Sequence, residues 1–320
     1  MTLIIKNIKV GNNNISIDNT IYKNIPKDII PNLFHNYVEF ELHNSNCEFA
    51  NAIRRVITAE LPMKYMSVAI SDINTNDKYI IADAFIKRLE MIPLNQSIDI
   101  NTKFNLNLYN KTFTFNDILT NDITYINKSK KDKLYFDNLY RLGTLHSGKF
   151  ITIDNIYIKY DTNYRSNYGK VEYKIINHDM DKFRSYNSNP STFKLKIISN
   201  GQDDNPKDII KVYIDFINNK LDNIYNIIKN NIEDSSIYTT SEFEVYKVFI
   251  SEESYTIGYL ISKYIFLIDN TIDYVAPRKD HPSKNDIIID IKHSNAKDIF
   301  LQAINKIKDD LKILKQSFSA

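Results

Sequence analysis

The sequence predicts an α+β fold: two modules of one order, strand, helix, strand, strand, long helix, paired within a single chain, the first interrupted by a mostly β insertion. Three observations carry the prediction. Apolar and polar residues alternate through Val38, Phe40 and Leu42, through Phe193, Leu195 and Ile197, and again near 243–250, as half-buried strands require. Two long stretches carry apolar stripes at spacings of three and four residues: Ile210, Tyr213, Ile217 and Leu221 in one, Phe300, Ile304, Ile307 and Leu311 in the other. Between 95 and 190 the pattern changes to short alternating runs separated by polar turns.

Taken in order, residues 1–34 read as an N-terminal extension with a hairpin across "GNNN", Ile8 and Val10 facing Ile15 and Ile17. Residues 35–94 and 191–230 make the first module. Its strand "YVEFELHN" leads into a helix for which Ser45 and Glu48 have capping-box spacing. Phe49, Ile53, Val56 and Ile57 line one face of that helix, and Pro62, unable to extend the hydrogen-bond ladder, ends it. "MSVAISDI" reads as the next strand. The inserted β domain, 95–190, holds the strands "KFNLNLYN", "KTFTF", "KFITI", "IYIKY" and "VEYKII" and a basic loop, "NKSKKDK", expected to be a solvated charge run. After the strand at Phe193, Asn205 and Pro206 supply the N-cap and first-turn proline of a helix running to about Lys229. Residues 231–241 read as a linker. The second module, 242–320, repeats the order: "FEVYKVFI", a helix from about Ser254, strands "IDYVA" and "DIIIDIK", and a last helix from about Asn295. Each long helix carries a stripe that its own small sheet covers only in part, so burial favours one stripe packing on the other; the alternative is that each packs within its own domain.

Composition narrows the function. With 41 basic and 39 acidic residues the net charge is +2, so no overall field argues for wrapping nucleic acid. One cysteine, Cys47, excludes an intrachain disulfide framework, and six scattered histidines offer no zinc-ligand spacing; neither metal nor cofactor is expected. There is no phosphate loop, Gly-x-Ser-x-Gly elbow or His-Glu-x-x-His pair. Cys47, in a helix's first turn where a thiol ionises more readily, is a conceivable nucleophile against the ordinary reading of a packing residue. No apolar run approaches the ~18 residues of a membrane span, and the start lacks a signal peptide's features, so cytosol or nucleus is the default expectation. Abundant Asn, Ile, Lys and Tyr point to an AT-rich genome.

Residues 38–94 resemble the signature of the larger alpha-like subunit of archaeal and eukaryotic RNA polymerases, through Asn51, Ala52, Arg54, Arg55, Glu60, Pro62, Asp83, Phe85, Ile86, Arg88, Leu89, Ile92, Pro93 and Leu94. The later "FKLKIISNGQDDNPKDIIKVYIDFINNKL" is similar to that family's closing strand, turn and dimerisation helix, with Gly201 and Pro206 in place. Residues 243–314 resemble the smaller alpha-like subunit through Glu252, Thr256, Gly258, Leu260, His281 and Pro282. Both in one Asn- and Ile-rich chain look like the fused subunit of large cytoplasmic DNA viruses. Two departures stand out: Glu90 replaces a usual glycine, and 95–190 lacks the cysteines with which many relatives hold a metal or cluster.

The resemblance implies a non-catalytic platform that docks the two largest polymerase subunits and a small one, with little or no direct nucleic-acid contact and no membrane. It also implies transcription of a viral genome, in host cytoplasm and virion. It places Asn51, Arg54, Arg55, Glu60, Asp83 and Arg88 at the docking interface, where arginine's planar fork suits carboxylates and carbonyls. The plain alternatives are surface arginines, one bonded to Glu60 or Glu48, with Asp83 as an N-cap and Arg88 as a helix-end charge. A stand-alone nucleic-acid-binding protein, resting on "NKSKKDK" and the tyrosines, is the competing function.

Overall fold

The computed structural model describes residues 2–14, 34–92, 94, 98–126, 140–162, 169–176, 190–199, 205–232, 234, 236–242, 244–281 and 283–319. In the first part of the chain the strands are β1 (Ile4–Asn14), β2 (Phe34–His43), β3 (Pro62–Ser67), β4 (Ile73–Thr75), β5 (Lys103–Tyr109), β6 (Asn116–Leu119), β7 (Ile123–Tyr125) and β8 (Arg141–Leu145). The later strands are β9 (Phe150–Thr162), β10 (Gly169–Ile175), β11 (Phe193–Ser199), β12 (Ile237–Glu242), β13 (Val245–Ile250), β14 (Tyr274–Arg278) and β15 (Ile287–Lys292). The α-helices among the described residues are α1 (Cys47–Arg55), α2 (Ala82–Glu90), α3 (Pro206–Asn230), α4 (Tyr255–Ile268) and α5 (Ala296–Ser319).

Two four-stranded antiparallel sheets repeat one strand order, β1-β2-β11-β10 and β12-β13-β15-β14. In the first, Val38, Phe40 and Leu42 stand directly opposite Ile197, Leu195 and Phe193, and none is exposed. Period-two alternation thus puts both apolar sets on one face. In the second, Val248 and Ile250 oppose Ile289 and Ile287 in the same way. These faces, with α1, α3, α4 and α5, enclose one continuous apolar core. Ile210, Tyr213, Ile217, Leu221, Phe300, Ile304, Ile307 and Leu311 all belong to it and are fully buried. A second core, around Phe85, Leu89, Phe104, Leu106, Ile151 and Ile156, lies under the sheet β3-β9-β5-β7.

Several elements fall elsewhere than the sequence pattern suggests. "GNNN" is no turn: β1 runs straight through it and pairs antiparallel with β2, while Ile15 and Ile17 lie outside the described residues. Leu3 reaches the first core, so β1 is an integral edge strand, as is β12 of the segment expected as linker. Pro62 opens β3, the strand position where a missing N–H costs least, and β3 pairs with β9 of the second sheet. Thus β3 and α2 pack on the second core, although expected with the first module, and β10 joins the first sheet. "KTFTF" is a loop: the buried Asn110 accepts hydrogen bonds from Thr112 N and Oγ1 and donates to Thr114 O, leaving Phe113 fully exposed. "KFITI" and "IYIKY" are one strand, β9. Its register against β5 shifts at Asp154–Asn155, and this bulge restores Ile156 and Ile158 to the face already occupied by Ile151 and Ile153. The basic loop at 127–133 and Gly201 lie outside the described residues.

Candidate functional site: the α1 helix and the contact between the two halves

α1 starts at Asn46, one residue later than the expected cap. Its side-chain oxygen accepts from Phe49 N at 2.8 Å, while Ser45 Oγ is buried without a partner among the described residues. Both residue types cap helices equally well, and the choice falls to the one whose oxygen reaches the third helical N–H. Cys47 is then the first helical residue. Burial, and next the charge of Glu48, push its thiol up, the reverse of what a nucleophile needs.

After Arg55 the helix widens into a π-helical turn, Val56–Glu60, closed by Leu61 N donating to Val56 O at 3.0 Å. Such a turn rotates the side chains beyond it to a different face. Arg54 and Arg55 precede it on the polar side. Arg54 donates through Nε and one terminal nitrogen to Asn51 Oδ1, at 3.0 and 2.8 Å, so Asn51 orients the guanidinium. Arg55 is 46% exposed and stands 4.0 Å from Glu60. Beside Arg55 a cleft of about 410 Å³ is walled by α1, by Tyr173 of β10, and by Tyr255 and Tyr259 of α4.

Glu60 points away from solvent. Its carboxylate accepts from Ser254 Oγ at 2.9 Å and Thr256 Oγ1 at 2.6 Å, and its side chain is only 16% exposed. Ser254 is the N-cap of α4, so the first half's acid holds the start of the second half's helix, where a negative charge also suits the helix dipole. Sequence reasoning groups Glu60 with the arginines on a docking face and misses Ser254. Their separation of 194 residues leaves no local signal for the pairing. Close by, Lys220 of α3 meets the buried Glu253 at 2.6 Å. Burial raises the Glu253 carboxyl, Lys220 opposes the rise, and the charge of Glu60 adds to it.

The long helices α3 and α5 run antiparallel. Lys315 meets Asp215 at 2.6 Å, Lys308 meets Asp222, and Lys297 donates to Asn231 at 2.6 Å, partners whose numbers ascend on α5 as they descend on α3. Asn231 ends α3 in the left-handed conformation, φ 49°, that a C-cap needs. At the far end Phe318 packs edge-on against Phe40 of β2, with ring centroids 5.0 Å apart. Tyr264 of α4 donates to Asp310 of α5 at 2.7 Å, and its phenol is raised by burial and by that carboxylate. Gly258 lets α4 approach β14 and β15: a Cβ there would lie 2.8 Å from Pro277 Cβ and 3.0 Å from Ile287 Cγ2.

Asp83 and Arg88 lie apart from this group, on α2 and the second core. Asp83 is exposed in the first turn and is not the N-cap, a position Ile81 fills without a side-chain bond. Arg88 donates to Leu142 O at 2.9 Å, tying α2 to β8. Glu90, where the resemblance expects glycine, sits in the last turn of α2 and accepts from Ser67 Oγ at 3.3 Å. Among the described residues no group of three or more His, Cys, Asp or Glu converges as a metal site, and no helix is long and apolar enough to cross a membrane.

Comparison with known proteins places this geometry. Over 89 residues the chain is 32% identical to the Arabidopsis thaliana protein "DNA-directed RNA polymerases II, IV and V subunit 3", and 30% identical to "DNA-directed RNA polymerases IV and V subunit 3B" of the same plant. Each match covers 28% of this chain and 27% of the relative, so the chain spans about a quarter of the length of the curated relatives it matches. A far longer correspondence, residues 39–311, takes in α1, part of β2 with β10 and β11 of the first repeated sheet, the whole of the second and most of α5, and on it the chain belongs to the family of the RNA polymerase Rpb3/Rpb11 dimerisation domain.

Proposed function

We propose that the chain is a non-catalytic assembly platform of a multisubunit DNA-directed RNA polymerase, a fusion of larger and smaller alpha-like parts that pair as an intrachain pseudo-dimer. The observation that carries the reading is the repeated strand order, β1-β2-β11-β10 and β12-β13-β15-β14, over one shared core. In this reading the first module comprises β1, β2, α1, β10, β11 and α3, the second runs from β12 to α5, and the inserted domain is the unit built on the second core from β3 to β9.

Asn51, Arg54 and Arg55 form one docking surface for the two largest subunits, beside the cleft lined by Tyr255 and Tyr259. Asp83 and Arg88 form another, on the inserted unit, that takes a large or a small polymerase subunit. In this reading Glu60 serves the pairing of the halves rather than docking, because its Oε1 accepts from two hydroxyls of the second half and its side chain is only 16% exposed. The fusion, with the Asn- and Ile-rich composition, supports a viral source and transcription of a viral genome in host cytoplasm.

The test is affinity purification of the tagged chain from its native source, parent against Arg54→Glu/Arg55→Glu. The parent should retain the large polymerase subunits and the variant should lose them, with unfolding changed by no more than about 1 kcal/mol. Retention by the variant would remove the arginines from the docking face. A stand-alone nucleic-acid binder would bring down no polymerase subunit at all.

A further inference from the structure

We propose that the polar contacts between the halves are a pairing code: they select the chain's own second half, rather than a second copy of either half, as the partner. The inference rests on the pseudo-dimer reading. Two halves of one topology face an ambiguity, because both long helices present stripes of Ile, Leu and aromatic side chains, and apolar burial is non-directional. An α3 could cover another chain's α3, and an α5 another α5, at similar buried area. Discrimination therefore has to come from polar groups that are satisfied in one pairing and opposed in the others.

Four contacts do this. On α3 the groups at the seam are acids, Asp215 and Asp222; on α5 their partners are lysines, Lys315 and Lys308. In the same antiparallel register a second α3 would set Asp215 against Tyr225 and Asp222 against Asn218, leaving both acids without a cation, and a second α5 would set Lys308 against Lys312 and Lys315 against Asn305. At the α1–α4 contact the N-caps Asn46 and Ser254 are equivalent positions, so Glu48 is the counterpart of Thr256. Glu60 finds two hydroxyls on the second half, whereas on a copy of the first half it would meet Glu48. Likewise Lys220 finds Glu253, whose counterpart before α1 is the uncharged Ser45. The two pairs between α3 and α5 are partly exposed and each is weak alone, whereas Glu60 and Glu253 are largely buried. All four favour the same partner.

The test uses full-length chains. Asp215→Lys/Asp222→Lys opposes like charges within one chain, and so does Lys308→Asp/Lys315→Asp, but mixed together the two variants offer unlike charges only between chains. After co-refolding, a tagged chain of one variant should retain the untagged other at about ten times the level of a wild-type mixture. The quadruple variant, with all four changes in one chain, should return to the wild-type mass and melting temperature. Retention no greater than wild type, or a quadruple variant that exchanges as much as the mixture, would overturn the proposal. If either double variant fails to fold, the quadruple variant decides alone: recovery supports the code and failure overturns it. The readout is contact between copies of this chain, so it stands or falls independently of whether polymerase subunits co-purify.

Discussion

Replacing Glu60 by alanine removes one carboxylate that holds two hydroxyls across the halves, at 2.9 and 2.6 Å, from a side chain 16% exposed. Hydrogen bonds to a charged acceptor contribute about 1.5–3 kcal/mol each when buried. Partial exposure lets Ser254 and Thr256 find water, and Ser254 keeps its bond from Thr256 N, which lowers the net cost to about 2 kcal/mol. In a chain of this size that is a fall in melting temperature of roughly 3 °C. Glu60→Gln keeps an acceptor and should fall by about half as much. Arg55→Ala, removing a half-exposed partner at 4.0 Å, should cost about 0–1 kcal/mol. Differential scanning calorimetry of the full chain reads all three. A Glu60→Ala chain that melts like the parent yet loses the large polymerase subunits would refute the assignment to pairing and return Glu60 to the docking face.

Other substitutions probe the same contact. Gly258→Ala should destabilise by about 1–3 kcal/mol despite its better helix propensity, because the new methyl meets Pro277 and Ile287; a higher melting temperature would contradict the packing. Tyr213 is fully buried, its phenol raised by burial and by the charge of Glu60, and its hydroxyl has no partner among the described residues. Tyr213→Phe should therefore raise the melting temperature or leave it unchanged, and a loss above about 1 kcal/mol would mean that the hydroxyl is bonded. The raised Glu253 carboxyl means that, between its unfolded value and its higher folded one, the folded chain holds the proton more tightly. Stability then falls as pH rises through that window above 4.5, and Glu253→Gln should flatten the slope; parallel melting profiles would contradict this.

Much of the frame is legible in the sequence because it is periodic. The stripes of α3 and α5, the Asn205 and Ser254 caps and the strands at Phe193 and Ile287 are local patterns whose chemistry names their structure. The elements that escape sequence reasoning depend on distant partners. β1 reads as half a hairpin because its mate, β2, lies beyond a long intervening segment, and "KTFTF" alternates like a strand but is held as a loop by Asn110. The break at Asp154–Asn155 resembles the end of a strand, whereas a bulge absorbs it. At the candidate site the sequence marks Arg54 and Arg55, and their polar exposure follows from the stripe opposite. It could not mark Glu60 as inward-facing, since the π-helical turn that redirects it has no sequence signature of its own and the hydroxyls that receive it lie 194 and 196 residues away.

The most direct test of the central claim is the subunit stoichiometry of the complex purified through this chain. One copy should accompany one copy of each of the two largest polymerase subunits, with no separate smaller alpha-like subunit, because on the proposed reading α4, α5 and their sheet take its place. A complex holding a distinct smaller alpha-like chain, or this chain recovered without polymerase subunits, would contradict the account.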